Sequence, residues 1–195
     1  MAKLVQINVA AEVLVRARRG DPTAEALLYA VAAPAAFALI RRLVGAGAHA
    51  EDLFQETMMS FYEQLASYRA EAPIGAWLRQ IAVSKCLMHL RSPWQRGRLQ
   101  LDAGWQEGAP RNLIDFSARP TPLAEQLDID RALASLPPTA CAVVWLFEVE
   151  SYMHAQIGRA FRRSASFSKS QLARTHRRLR EWFEPSVEPP ACTSI

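Results

Sequence analysis

Apolar residues recur at three- and four-residue spacing over 13–19, 23–44, 50–68 and 75–91, the period of helices that each bury one face. Turn signals separate these stretches: Gly20-Asp21-Pro22, Gly45-Ala46-Gly47 and Glu71-Ala72-Pro73. Beyond Arg91 the texture changes. Over 92–122, seven of 31 residues are Gly or Pro and no period is sustained, which predicts an irregular linker. Its aromatics Trp94, Trp105 and Phe116 suggest that it lies along a surface. Helical pattern resumes over 123–135, after Pro137-Pro138, and from Met153 to Phe183. No period-two pattern persists anywhere. The prediction is an all-α protein of two small helical domains, 10–91 and 123–183, joined by an irregular linker over 92–122 and followed by a short tail over 184–195.

The helix over 50–68 has two unlike faces. Phe54, Met58, Phe61 and Leu65 stack on one stripe, while Asp52, Glu56, Met59 and Glu63 fall opposite, with Gln55 at the margin. An acidic face is often merely solvated, but a methionine among acids also marks an adaptable contact surface. Near the C-terminus the spacing predicts a short helix over 153–161, a tight connection at Arg162-Arg163, and a second helix over 164–183 with Ser164 as its N-cap. On that helix Ala165, Ser168, Leu172, Leu179 and Phe183 form the expected buried stripe. Ser166, Ser170, Arg174 and Arg177 project from the far side, flanked by Lys169, Ala173 and Arg178. Small residues at a helix start let it sink into a major groove, and cations further along grip phosphate or guanine, so the pair reads as a helix-turn-helix or as a plain helical hairpin.

Charge sharpens this picture. The net charge is only +4, but residues 151–182 carry +7 and residues 101–150 carry −5. A short basic block of that kind suits a polyanion partner. Other classes recede. Half the residues are apolar and 22% are charged, ordinary values for a globular chain. No apolar run approaches the roughly 20 residues of a membrane span, so membrane insertion is not expected. The first eleven residues do not resemble a secretory leader. Cys86, Cys141 and Cys192 fit neither a disulfide framework nor a zinc cage, and point to a reducing, cytoplasmic setting.

Catalytic signatures are missing: no HExxH, CxxC, GxxxxGK[ST] or GxSxG occurs. The histidines His49, His89, His154 and His176 are scattered. No cofactor, metal site or catalytic residue is predicted, and an enzyme is the weaker class.

The order of the parts resembles a bacterial sigma factor of the extracytoplasmic-function (ECF) group. Ala50-Glu51-Asp52-Leu53-Phe54-Gln55-Glu56-Thr57 is similar to that family's "AEDLxQExF" block, and Tyr68-Arg69 with Ala76-Trp77-Leu78-Arg79-Gln80-Ile81-Ala82 to its "RF…WLxxIA" helix. Ala17-Arg18-Arg19-Gly20-Asp21 is similar to its "A..GD" opening, and 132–138 to its "ALxxLPP" start of domain four. Glu148-Val149-Glu150 stands where the family has "EVEG", and Lys169-Ser170-Gln171-Leu172-Ala173-Arg174 is similar to "KSxLxRA".

The resemblance implies a partner for each face. Asp52, Gln55, Glu56 and Met59 would dock on the clamp helices of core RNA polymerase. Tyr68, Trp77, Arg79, Gln80, Ser84, Lys85 and Arg91 would open and read the minus-ten promoter element, with Trp77 open between stacking and core roles. Ser166, Lys169, Ser170, Ala173, Arg174, Arg177 and Arg178 would meet promoter DNA at the minus-thirty-five element. An anti-sigma factor is the implied regulator. The chain departs from the family at Ser84 and Met88, where Asn and Asp are common, at Ile74, where a loop aromatic is frequent, at Met153, and at Arg162 in place of a turn glycine. The alternatives are a helix-turn-helix regulator that binds operator DNA without polymerase, and a sigma-like interaction protein that no longer initiates.

Overall fold

The computed structural model describes residues 4–7, 9–45, 47–92, 132–133 and 135–183. All but the first residue of the predicted linker, most of the helix expected over 123–135, and the tail lie outside the described residues. A 3-10 turn, Leu4–Gln6, precedes α1 (Ala11–Ala17), α2 (Pro22–Val44), α3 (Ala48–Leu65) and α4 (Ile74–Leu90). Then come α5 (Pro138–Val144), a π-helical turn (Trp145–Val149), α6 (His154–Ala160) and α7 (Ala165–Phe183). The fold is all-α, with no strand among the described residues.

Helix α2 is the axis of the first group. Asp21 caps it by accepting from the Thr23 and Ala24 amides at 2.9 and 3.4 Å, and Pro22 occupies the first turn, where its missing N–H costs nothing. The Arg16 guanidinium, hydrogen-bonded to Asp21 at 2.7 Å, holds that carboxyl below its ordinary range. By length and composition α2 passes for a membrane span, which the run-length reading did not anticipate. Its surroundings are those of a core helix: Leu28, Ala32, Ala36, Leu39, Ile40 and Leu43 are buried, and α1, α3, α4 and α5 all touch it.

Helix α3 buries Met58, Phe61 and Leu65 of its expected stripe, but Phe54 is only half-buried and Leu53 takes the core position beside it. Thr57 joins them by donating its hydroxyl to the Leu53 carbonyl at 2.6 Å. It ends at Leu65, three residues before the predicted boundary, and the chain turns through Ala66–Pro73 into α4. The start of α4 is held by close approach. A Cβ on Gly75 would lie 1.9 Å from the Leu4 carbonyl oxygen, so only glycine lets the N-terminal turn seat there.

The second group packs α6 against α7, and α5 against both α7 and α2. Its Ala142, Val143, Leu146, Ile157 and Phe161 are continuous with the core of the first group. The π turn after α5 has no counterpart in the sequence reading; the Glu150 amide bonds five residues back to the Trp145 carbonyl at 3.1 Å. It closes at Ser151, which takes φ +58° where the family pattern has glycine. The α6–α7 turn holds Arg162 at φ +53°, the left-handed angle that the absent glycine would have supplied. No hydroxyl caps α6; Gln156 in its first turn reaches back and accepts from the Met153 amide at 2.8 Å, which fixes the entry of the chain.

Gly158 sets how closely α6 and α7 meet, since a Cβ there would lie 2.6 Å from the Ser164 carbonyl oxygen. Gly158→Ala is expected to destabilise the protein by about 1–3 kcal/mol through backbone displacement. Urea denaturation followed by circular dichroism checks this, with an unchanged midpoint as the contrary result.

Candidate functional site

Burying one face of α3 against α2 and α4 leaves the other face to solvent. Asp52, Gln55, Glu56, Met59 and Glu63 are all exposed there, Met59 at 62%. Three acids, an amide and an exposed thioether thus share one surface. Glu56 lies 3.7 Å from Lys85 of α4, so this ridge borders the α4 cations. Farther along the same seam the His49 and His89 rings stand 5.1 Å apart; burial, and then His49, push His89 below the ordinary histidine range.

Helix α4 presents Gln80, Ser84 and Met88 as an exposed row at four-residue spacing. The aromatics stand beside that row. Trp77 is half-buried, its ring 5.4 Å from Phe61 and 5.1 Å from Tyr68. Tyr68 is buried and donates its hydroxyl to the Ala72 carbonyl, so the pair braces the loop before α4 and Tyr68 offers no open ring face. Lys85 is partly covered by its pairing with Glu56. Arg79 and Arg91 point toward the second helical group: Arg79 to Glu150 and Arg91 to the Ala160 carbonyl. The residues predicted to act on one DNA element therefore do not form one open surface in this arrangement.

Helix α7 is more uniform. Ser166, Lys169, Ser170, Ala173, Arg174, Arg177 and Arg178 are all exposed, as are Arg162 and Arg163 in the turn before it. Arg174 Nε donates to the Ser170 carbonyl at 3.2 Å, and Arg177 lies 3.8 Å from Glu181, a weak solvent-screened pair. The helix is fixed from behind. His154, stacked on Phe147 with ring centroids 4.3 Å apart, bonds through Nδ1 to the buried Ser168 hydroxyl at 3.1 Å. His176 Nε2 meets Glu148 at 3.1 Å.

The buried stripe of α7 differs from its prediction. Ser168, Leu172 and Thr175 are buried, while Phe183 is 49% exposed. Thr175 reads as polar in sequence, but its hydroxyl is spent on the Gln171 carbonyl, leaving the methyl for the core. Phe183 stands at the far end of α7, edge-on to an equally uncovered Trp182. Residues that sequence reasoning missed as contacts are Arg42, Trp145, Glu150 and Tyr152, which join the two groups. Among the described residues, no three His, Cys, Asp or Glu converge as a metal site.

Residues 28–96 match the family described as sigma-70 region 2. Over 130 residues the chain is 28% identical to the ECF RNA polymerase sigma factor SigM of Mycobacterium tuberculosis, covering 67% of this chain and 62% of that protein. It is 29% identical to the ECF sigma factor SigE of Mycolicibacterium smegmatis over 75% of this chain and 56% of the relative. With the ECF sigma factor SigF of Caulobacter vibrioides it shares 30% identity over half of each chain. The alignments thus span between half and just over three fifths of these curated relatives. Among solved structures, the sigma factor RpoE of Bartonella quintana, in complex with the anti-sigma factor NepR, superposes with a TM-score of 0.51 at 22% identity, covering 85% of this chain and 98% of that one. That likeness supports the fold. The resemblance drawn from the sequence motifs is borne out by the family match and the curated relatives.

Arg162 carries the strain of a left-handed backbone that a glycine adopts freely. Arg162→Gly is expected to raise stability by up to about 1 kcal/mol, the relief of strain being partly offset by a more flexible unfolded chain. A higher urea midpoint checks it; a lower one contradicts it.

Proposed function

We propose that this chain, which carries a sigma-70 region 2 domain and is similar to ECF RNA polymerase sigma factors, is itself an alternative sigma factor. It binds core RNA polymerase, directs it to a promoter set, and helps open the DNA there. Residues 10–91 form the polymerase-binding and minus-ten domain, and residues 123–183 form the minus-thirty-five domain. The chemistry belongs to polymerase, and this chain supplies the address. The observation that carries the reading is the coexistence of two separate faces of opposite sign. One is the acidic, methionine-bearing ridge of α3; the other is the cationic face of a helix-turn-helix on α7.

Each face has a physical role. Asp52, Gln55, Glu56 and Met59 offer charge to a basic partner and an adaptable thioether at its centre. On α7, Ser166, Lys169, Ser170, Ala173 and Arg174 lie nearest the helix start that enters a major groove, and Arg177 and Arg178 hold phosphate. On α4, Gln80 and Ser84 are presented to the unpaired strand, and Arg79, Lys85 and Arg91 supply cations once their present partners release them. Each reading unit is small, so tight promoter binding needs polymerase to hold both at the correct separation. An anti-sigma factor would act by covering these same faces. The working compartment is the cytoplasm, where polymerase is.

Reversing Asp52 and Glu56 to Lys is expected to weaken core polymerase binding by at least about 100-fold, because like charges then face each other across the contact. Unchanged affinity in a fluorescence-anisotropy titration would remove the α3 ridge from the interface. Arg177→Ala and Arg178→Ala are each expected to reduce the salt slope of promoter binding by holoenzyme by about 1. Slopes identical to the wild type would place both side chains away from phosphate.

A further inference from the structure

The guanidinium groups of α4 are turned inward. Arg79 Nη1 donates to Glu150 Oε2 at 3.0 Å and to the Glu150 carbonyl at 3.3 Å, and the same guanidinium lies 4.8 Å from the centre of the Tyr152 ring. Glu150 is only 7% exposed, a rare depth for a carboxylate, and Arg79 is its charged partner. Just past the end of α4, Arg91 Nη1 donates to the carbonyl of Ala160, the last residue of α6, at 2.8 Å. On the α2 side the Arg42 guanidinium lies 4.6 Å over the Trp145 ring, and Cys141 Sγ donates to the Arg42 carbonyl at 3.5 Å.

We infer that Glu150 is an intramolecular latch, holding the second helical group against α4 and withholding Arg79 and Arg91 from nucleic acid until the two groups part. The inference rests on the sigma-factor reading for its purpose, though its physical readouts need no polymerase. The closed form cannot serve two promoter elements at once. Their names place them roughly 25 base pairs apart, or about 85 Å of duplex at 3.4 Å per step. A folded chain of this length is only about 40 Å across. Parting is therefore part of function, and the contacts that resist it are the polar ones described above together with the apolar packing of α5 on α2.

The closed interface is built to yield. A buried Arg–Glu pair adds little net stability once both charges have been stripped of water, but it fixes one geometry sharply. Trp145 Nε1, buried in the closed form, has no hydrogen-bond partner among the described residues. Separation lets water satisfy it. The polar contacts are specific enough to define a resting state and weak enough for phosphate to displace, while the apolar packing of α5 on α2 must be separated as well. Glu150 thus competes with phosphate for the same guanidinium.

The test combines small-angle X-ray scattering of the free chain with anisotropy titration of a labelled 20-nucleotide single-stranded DNA of mixed sequence. Glu150→Gln is expected to raise the radius of gyration and tighten single-stranded DNA binding roughly tenfold, as the competent open fraction grows. Arg42→Ala loosens the interface from its other side and is expected to shift both readouts in the same direction, which covers the case in which one variant fails to fold. Arg79→Gln is expected to open the chain with a smaller gain in affinity than Glu150→Gln, because one of the two released cations, Arg79, is the one removed while Arg91 is still freed. If Glu150→Gln and Arg42→Ala leave the radius unchanged, or expand it without tighter DNA binding, the latch is overturned. If they open the chain and tighten DNA binding, but core polymerase binds neither wild type nor variant, the latch stands and the sigma-factor reading fails.

Discussion

Everything in the first helical group follows from the need to cover α2. From Ala26 to Ile40 that helix has no charged residue, so no single side of it is content in water. The chain answers this by wrapping α1, α3, α4 and α5 around most of it, leaving Leu27, Tyr29 and Val31 exposed. Aromatic contacts finish the seal on one side, with Phe37 5.2 Å from Phe54 and the Tyr62 hydroxyl donating to the Glu25 carbonyl at 3.0 Å. Once α3 has spent its apolar stripe on this task, its acids have nowhere to go but outward. The acidic ridge of α3 is thus a consequence of core packing as much as of surface composition.

The same constraint fixes α4, and with it the fate of its cations. Leu78, Ala82, Val83, Cys86, Leu87 and Leu90 are buried, with burial pushing the Cys86 thiol up to about 12. Arg79, Lys85 and Arg91 flank this buried face, so each side chain leans toward a neighbouring element. Lys85 finds Glu56 on the acidic ridge, while the arginines find Glu150 and the end of α6. Polymerase binding and DNA binding are consequently coupled in this reading. A partner that engages Glu56 loosens Lys85, and the release of Glu150 frees Arg79.

How much of this was legible in sequence depends on the range of the interactions. Periodicity placed α2, α3, α4, α6 and α7, because helix burial repeats every three to four residues and leaves a local record. Boundaries drifted where a turn continued the apolar pattern, as at Ala66 to Tyr68, which lies beyond the end of α3. The left-handed angle at Arg162 was foreseeable only from a missing glycine, and the one at Ser151 only from the same kind of comparison. The π turn left no trace, since its geometry answers packing and not composition. Arg79 and Glu150 are 71 residues apart, and no periodic rule pairs them. Tyr68 reads as a stacking platform in sequence because nothing local reveals that Trp77 and the Ala72 carbonyl already occupy it.

The most direct test of the central claim is run-off transcription by purified core RNA polymerase on fragmented genomic DNA of the source organism, with and without this protein. The account predicts discrete new transcripts that appear only when the protein is added and that start a fixed distance from a shared pair of sequence elements. Tight binding of the protein alone to DNA fragments, with the transcript pattern unchanged by its presence, would contradict the account and favour a helix-turn-helix regulator.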